Sequence, residues 1–131
     1  PGSRDIFAVI ESLPKDRFRL IPSMRFAYFS ELMKNAAAVI GNSSAGVREA
    51  PFVGVPSLNV GSRQNNRSEA ASITDADAFD TNAIAGFLGS KWGRSFEQDQ
   101  GFGLGNSADR FVEVLQDESF WSRPLQKEFQ D

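Results

Sequence analysis

Apolar and polar positions follow two rhythms along this chain, one near 3.6 residues and one of short unbroken runs. Over residues 5–13 the apolar positions Ile6, Val9, Ile10 and Leu13 share one helical face. Pro14-Lys15-Asp16 then makes a turn. Residues 18–21 read as a strand, only half buried to judge from Arg17 and Arg19, and Pro22-Ser23 ends it. Over residues 25–36 the stripe Phe26, Phe29, Leu32, Met33 and Ala36 predicts a helix with its apolar face in a core. The run 38–40 predicts a buried parallel strand. A helix opens at Ala45 and must end near residues 51–53, because Pro51 has no N–H and restricts Ala50. Gly54-Val55-Pro56 turns into a strand at 57–60. Residues 61–69 form a polar loop, and 71–74 a fourth, weak strand. Asp80 caps a helix over 81–88, with Ile84, Phe87 and Leu88 inward and Gly89 as its stop. Residues 90–105 hold four glycines and read as a long loop. Ser107 caps a helix over 108–116 with Ala108, Phe111, Val112 and Leu115 on one face. The tail, 119–129, carries Phe120, Trp121, Leu125 and Phe129.

Helices alternating with short apolar strands argue for an α/β fold with a doubly wound parallel sheet. Ligands of such sheets lie at the carboxyl ends of the strands. Two polar segments fall there, the Gly41-Asn42-Ser43-Ser44 turn and the loop at 61–67. A Gly- and Ser-rich turn before a helix leaves N–H groups unpaired, and the helix dipole adds partial positive charge, so the turn suits a phosphate. Ser43 and Ser44 add hydroxyl donors, and Gly46 lets a ligand come close to the backbone. Glu49 is placed where a carboxylate can accept hydrogen bonds from the vicinal hydroxyls of a ribose. Arg63 and Arg67 can close on a diphosphate. Each feature also has an ordinary structural role. Ser and Asn before a helix are common N-caps, and Glu49 beside Arg48 fits a solvated face. The pattern matches neither a Walker A loop nor a GxGxxG turn. Taken alone it specifies an anion site suited to a nucleotide.

Composition narrows the classes. The chain of 131 residues carries 40% hydrophobic residues and twelve phenylalanines, enough for one domain with a core. A formal net charge of −3 without a basic stripe argues against nucleic acid. No apolar run is long enough to span a membrane. Without cysteine there are no disulfides or thiolate metal sites, and a cytoplasmic setting is the expectation. Without histidine, zinc chemistry is disfavoured and the commonest general base is missing as well.

The ordered series Gly41-Asn42-Ser43-Ser44-Ala45-Gly46-Val47-Arg48-Glu49-Ala50-Pro51, Gly54-Val55-Pro56 and Asn59-Val60-Gly61-Ser62-Arg63-Gln64 with Arg67 resembles the hydrolysing UDP-N-acetylglucosamine 2-epimerases. It resembles most the branch that makes N-acetylmannosamine for sialic-acid-type sugars. Weaker likeness runs from Pro1-Gly2-Ser3 to Pro124-Leu125-Gln126-Lys127, and includes Gly103-Leu104-Gly105-Asn106. The resemblance implies a Rossmann-like C-terminal domain of a glycosyltransferase-B fold, here incomplete, with the catalytic N-terminal domain absent. It implies that Ser43, Ser44, Glu49 and Arg63 bind UDP or a UDP-sugar, and that Met24, with Ser23, lies by the uracil. Ala45, Asn65 and Asn66 receive no role. No catalytic residue, metal ligand or cofactor is assigned. The implied reaction eliminates UDP from C1 with loss of the C2 proton and hydrates the glycal, giving N-acetylmannosamine. A homo-oligomer is expected. The alternative is the nucleotide-sugar-binding half of a glycosyltransferase of the same fold, or a non-catalytic nucleotide-sugar domain. A strand order of 3-2-1-4-5-6 would place 18–21 third and 39, 57 and 71 in strands four to six. That order leaves a gap before strand four.

Overall fold

The computed structural model describes residues 3–123. The opening Pro1-Gly2, the tail residues Leu125 and Phe129, and the likeness at 124–127 lie outside them. The chain divides into two compact units, residues 1–32 and 33–131.

In the first unit, α1 (Ser3–Ser12) forms where the periodicity of Ile6, Val9 and Ile10 places it. None of its residues is buried. The strand expected at 18–21 does not form. The Phe18 N–H donates to the Pro14 carbonyl at 3.0 Å, so the backbone turns there. Phe18, Leu20 and Ile21 are exposed, and the segment pairs with no other strand among the described residues. A strand is stable only as a hydrogen-bonded partner of another, and residue pattern alone does not supply one. α2 (Phe26–Lys34) follows, and its last two residues, Met33 and Lys34, belong to the second unit. Of its expected core stripe only Met33 is buried, while Phe26 is 69% and Leu32 53% exposed. Periodicity identifies the apolar face of a helix but not whether anything covers it.

The second unit holds a three-stranded sheet, ordered β1 (Val39–Gly41), β2 (Ser57–Val60), β3 (Ile73–Ala76), parallel throughout. Val39 pairs with Ser57 and Ser57 with Ile73, so the carboxyl ends of all three strands lie on one edge. β3 begins two residues later than its expected start. Side chains alternate across the sheet. Leu58 packs with Ala76 and Phe87 on one face, joined by Ala38, Val60, Ala83 and Ile84. The opposite face carries Met33, Ala50 and Val55 with Ala36, Val39, Ala45 and Val53. Elements therefore cover both faces, the α/β arrangement that the alternation predicts.

The helix expected from Ala45 is instead a 3-10 turn, Ser44–Gly46, followed by the single-turn α3 (Glu49–Phe52). Pro51 confines the helix to that turn. Gly54, at φ 71°, lets the chain reverse into β2, and the Phe96 N–H donates to its carbonyl at 2.9 Å. α4 (Thr81–Ser90) is capped by Asp80, whose carboxylate accepts from the Ala83 N–H at 2.9 Å. It runs one residue past Gly89 to a Lys91 cap. Phe87 is buried and Ile84 half-buried as expected, but Leu88 is exposed. α5 (Ser107–Gln116) starts at Ser107, with Asn106 in the cap position, and its Phe111, Val112 and Leu115 are exposed. α6 (Glu118–Trp121) ends the described chain. Among the described residues no helix is long and apolar enough to cross a membrane.

Candidate functional site

The carboxyl end of β1 runs directly into the turn that the sequence singles out. Ser43 is the N-cap of the 3-10 turn. Its hydroxyl oxygen accepts from the Ala45 N–H at 3.3 Å, and its carbonyl accepts from the Gly46 N–H at 3.1 Å. The ordinary capping role thus applies to Ser43, yet its hydroxyl hydrogen is still free to donate. Among the described residues, neither the Ser43 nor the Ser44 N–H donates to a protein carbonyl or side chain. These are the orphan donors expected at the start of a helical turn.

Two parts of the expectation change. First, a three-residue 3-10 turn and a single-turn helix align few peptide dipoles. The anion-binding character of this turn therefore comes from individual N–H and O–H donors more than from a macrodipole. Second, Gly46 is buried against β2. A Cβ at Gly46 would stand 2.7 Å from Ser57 Oγ and 3.7 Å from Val39 Cγ1. The glycine serves the close approach of turn to sheet, not that of a ligand to the backbone.

Glu49 begins α3 and is half-buried. Its Oε2 is shielded from solvent and has no hydrogen-bond partner among the described residues. A buried carboxylate oxygen left unpaired is costly, so the solvated-face reading does not describe it. Its neighbour Arg48 is exposed, with its guanidinium 5.5 Å from the centre of the Phe102 ring.

At the next strand end, residues 61–67 are anchored from beneath. Asn59, buried on β2, donates through Nδ2 to Asp75 Oδ1 at 2.6 Å and to Asn65 Oδ1 at 3.1 Å. Gln64 is buried, and its Nε2 donates to the Asn42 carbonyl at 3.0 Å. Gln64 Oε1 accepts from Arg67 Nη1 at 2.7 Å. The two polar segments at the carboxyl ends of the strands are thus tied directly together. Arg63 is exposed and makes no hydrogen bond or ion pair among the described residues. Arg67, grouped with it in the sequence, is instead bound to Gln64. Met24 is half-buried in the first unit, in the segment leading into α2.

Among the cavities along the second unit, one of about 190 Å³ is lined by Gly61, Ser62, Asn65, Asp75, Ala76 and Asp77. Another, about 420 Å³, is lined by residues 66–69 with Asp99, Gly101 and Phe102. Ser43, Ser44, Glu49 and Arg63 line neither. Among the described residues no group of three or more acidic side chains is placed to hold a metal ion. Sequence reasoning assigned nothing to Asn59 or Gln64 and no role to Asn65. Single polar residues in a polar loop or at a strand end carry no periodic signal, and only the tertiary contacts mark them.

Residues 1–116 match the family model described as UDP-N-acetylglucosamine 2-epimerase. A protein of Neisseria meningitidis serogroup B named UDP-N-acetylglucosamine 2-epimerase is 41% identical over 138 aligned positions, covering 99% of this chain and 35% of that protein. A GDP/UDP-N,N'-diacetylbacillosamine 2-epimerase (hydrolyzing) of Campylobacter jejuni is 37% identical over 73 positions, 56% of this chain and 19% of the relative. The Polysialic acid biosynthesis protein P7 of Escherichia coli is 37% identical over 68 positions, 52% of this chain and 17% of the relative. The chain spans about a third or less of the length of each of these curated relatives. By the extent of the family match, this chain belongs to the UDP-N-acetylglucosamine 2-epimerase family.

Proposed function

We propose that this chain is the UDP-binding part of a hydrolysing UDP-N-acetylglucosamine 2-epimerase, placed in the C-terminal, glycosyltransferase-B-type domain of the full-length protein. The observation that carries the reading is Glu49 Oε2, a buried carboxylate oxygen without a partner, one short turn beyond the free Ser43 and Ser44 N–H groups. A nucleoside diphosphate answers both needs. Ribose hydroxyls donate to the carboxylate, and phosphate oxygens accept from the two N–H groups, the serine hydroxyls and the unpaired Arg63. The sugar product would be N-acetylmannosamine, released with free UDP after elimination across C1 and C2 and hydration of the glycal. The link of one relative's name to polysialic acid supports that product class.

The test is product identity. The full-length protein, incubated with UDP-N-acetylglucosamine, should release UDP and free N-acetylmannosamine, read by proton NMR. Accumulation of UDP-N-acetylmannosamine instead would overturn the hydrolytic assignment. Absence of UDP binding in a titration would overturn the site. A second substrate has a specific basis in the relative named for N,N'-diacetylbacillosamine. Comparing kcat/KM for the two UDP-sugars in the same assay decides between them.

A further inference from the structure

We propose that Gln64 is a positioning residue for the anion site, holding the Ser43–Ser44 turn and the Arg63–Arg67 loop in one fixed relation. The inference rests on the reading of that turn as a diphosphate site. Gln64 is 2% exposed, yet it stands in a loop whose neighbours Arg63, Asn65, Asn66 and Arg67 are all exposed. Both ends of its carboxamide are used. Nε2 reaches across 22 positions of sequence to the Asn42 carbonyl, and Oε1 receives Arg67 Nη1. A buried amide satisfied at both ends by groups from two different loops works as a fixed strut.

The consequence for the ligand follows from peptide geometry. The Asn42 carbonyl and the Ser43 N–H belong to one planar trans unit and point in opposite directions. Turning the carbonyl onto Gln64 aims the Ser43 N–H away from it, outward from the loop contact. The same side chain fixes one guanidinium nitrogen of Arg67, which reduces the rotamer freedom of a long exposed cation before any anion arrives. A donor set arranged before binding loses less entropy than one that must assemble around the ligand. Asn59 supports the same loop from below through Asn65, so the loop is held at two points while Arg63 is left free.

The experiment compares two ligands on the full-length protein. UDP carries the diphosphate, and uridine lacks it. Gln64→Met removes both hydrogen bonds at nearly constant volume. It should weaken UDP about ten-fold, the scale of one hydrogen bond, and leave uridine affinity unchanged. Adding Arg67→Met to Gln64→Met should cost less UDP affinity than the two single losses combined, because Gln64 acts in part through Arg67. Where a thermal melt shows Gln64→Met to be unfolded, Gln64→Glu replaces it. That variant keeps an acceptor for Arg67, loses the donor to Asn42, and should show the same loss confined to UDP. Equal losses for UDP and uridine, or none for either, would overturn the positioning role alone. A wild-type protein that does not bind UDP would overturn the proposed function and this inference with it.

Discussion

Glu49 and Arg63 follow consecutive strand ends in opposite situations. Among the described residues, one is a carboxylate oxygen shut away from solvent with nothing to accept from, and the other is an exposed guanidinium with nothing to donate to. Each is incomplete in the way a nucleoside diphosphate would complete. For Glu49 the discriminating substitution is Glu49→Gln, which keeps shape but replaces one acceptor oxygen with a donor. If Glu49 holds the ribose as proposed, it should weaken UDP by about ten-fold or more and 2′-deoxy-UDP by much less, because the latter lacks the 2′-hydroxyl. Equal losses in parallel titrations would return Glu49 to a purely structural role. For Arg63 the expected loss follows from a hydrogen bond between charged groups, roughly 1.5–3 kcal/mol. Arg63→Ala in the full-length protein should thus weaken UDP about 10- to 150-fold. Unchanged affinity would remove Arg63 from the site.

The 3-10 turn at Ser44–Gly46 sits against β2 because Gly46 has no side chain to hold it off. Gly46→Ala puts a methyl group against Ser57 Oγ in a buried contact, and overpacking of this kind costs about 1–3 kcal/mol. Ser57→Ala removes the opposing oxygen. The double substitution should therefore recover most of the stability that Gly46→Ala loses, measured by urea denaturation. Additive losses would show that the turn shifts for another reason. The same pair of elements shows what can be read from sequence. β2 was legible to the residue because Pro56 and Gly61 bracket a short run of strand-forming residues. α4 was legible because Asp80 caps it as expected. The helix at Ala45 was misread because a serine cap before small residues suits a 3-10 turn equally well, and α3 starts only at Glu49. The strand at 18–21 was misread because pairing is not written in the residues that pair. In the site, the conspicuous turn was legible, whereas Gln64 and Asn59 acquire their meaning from groups 22 and 16 residues away.

Across the molecule, apolar surface is distributed in a way that bears on association. Among the described residues β1 forms one edge of the sheet, bonded to β2 on one side only, and Ile40 on it is 52% exposed. Phe111 and Trp121, on α5 and α6, are exposed as well. An unpaired strand edge carrying a bulky apolar side chain is a template for pairing with another chain. β1 has neither the lysine nor the proline with which edges are commonly blunted. The 131-residue chain produced on its own should therefore self-associate, and sedimentation velocity over a range of concentrations should show species larger than a monomer. Ile40→Lys places a charge on the edge, outside the buried clusters that hold the sheet together, so it should shift the distribution toward monomer without loss of helical circular dichroism. Two outcomes would count against β1 as the contact: a monomer at every concentration, or association that Ile40→Lys leaves unchanged. The second would direct attention to the exposed face of α5, where Phe111→Lys is the corresponding substitution.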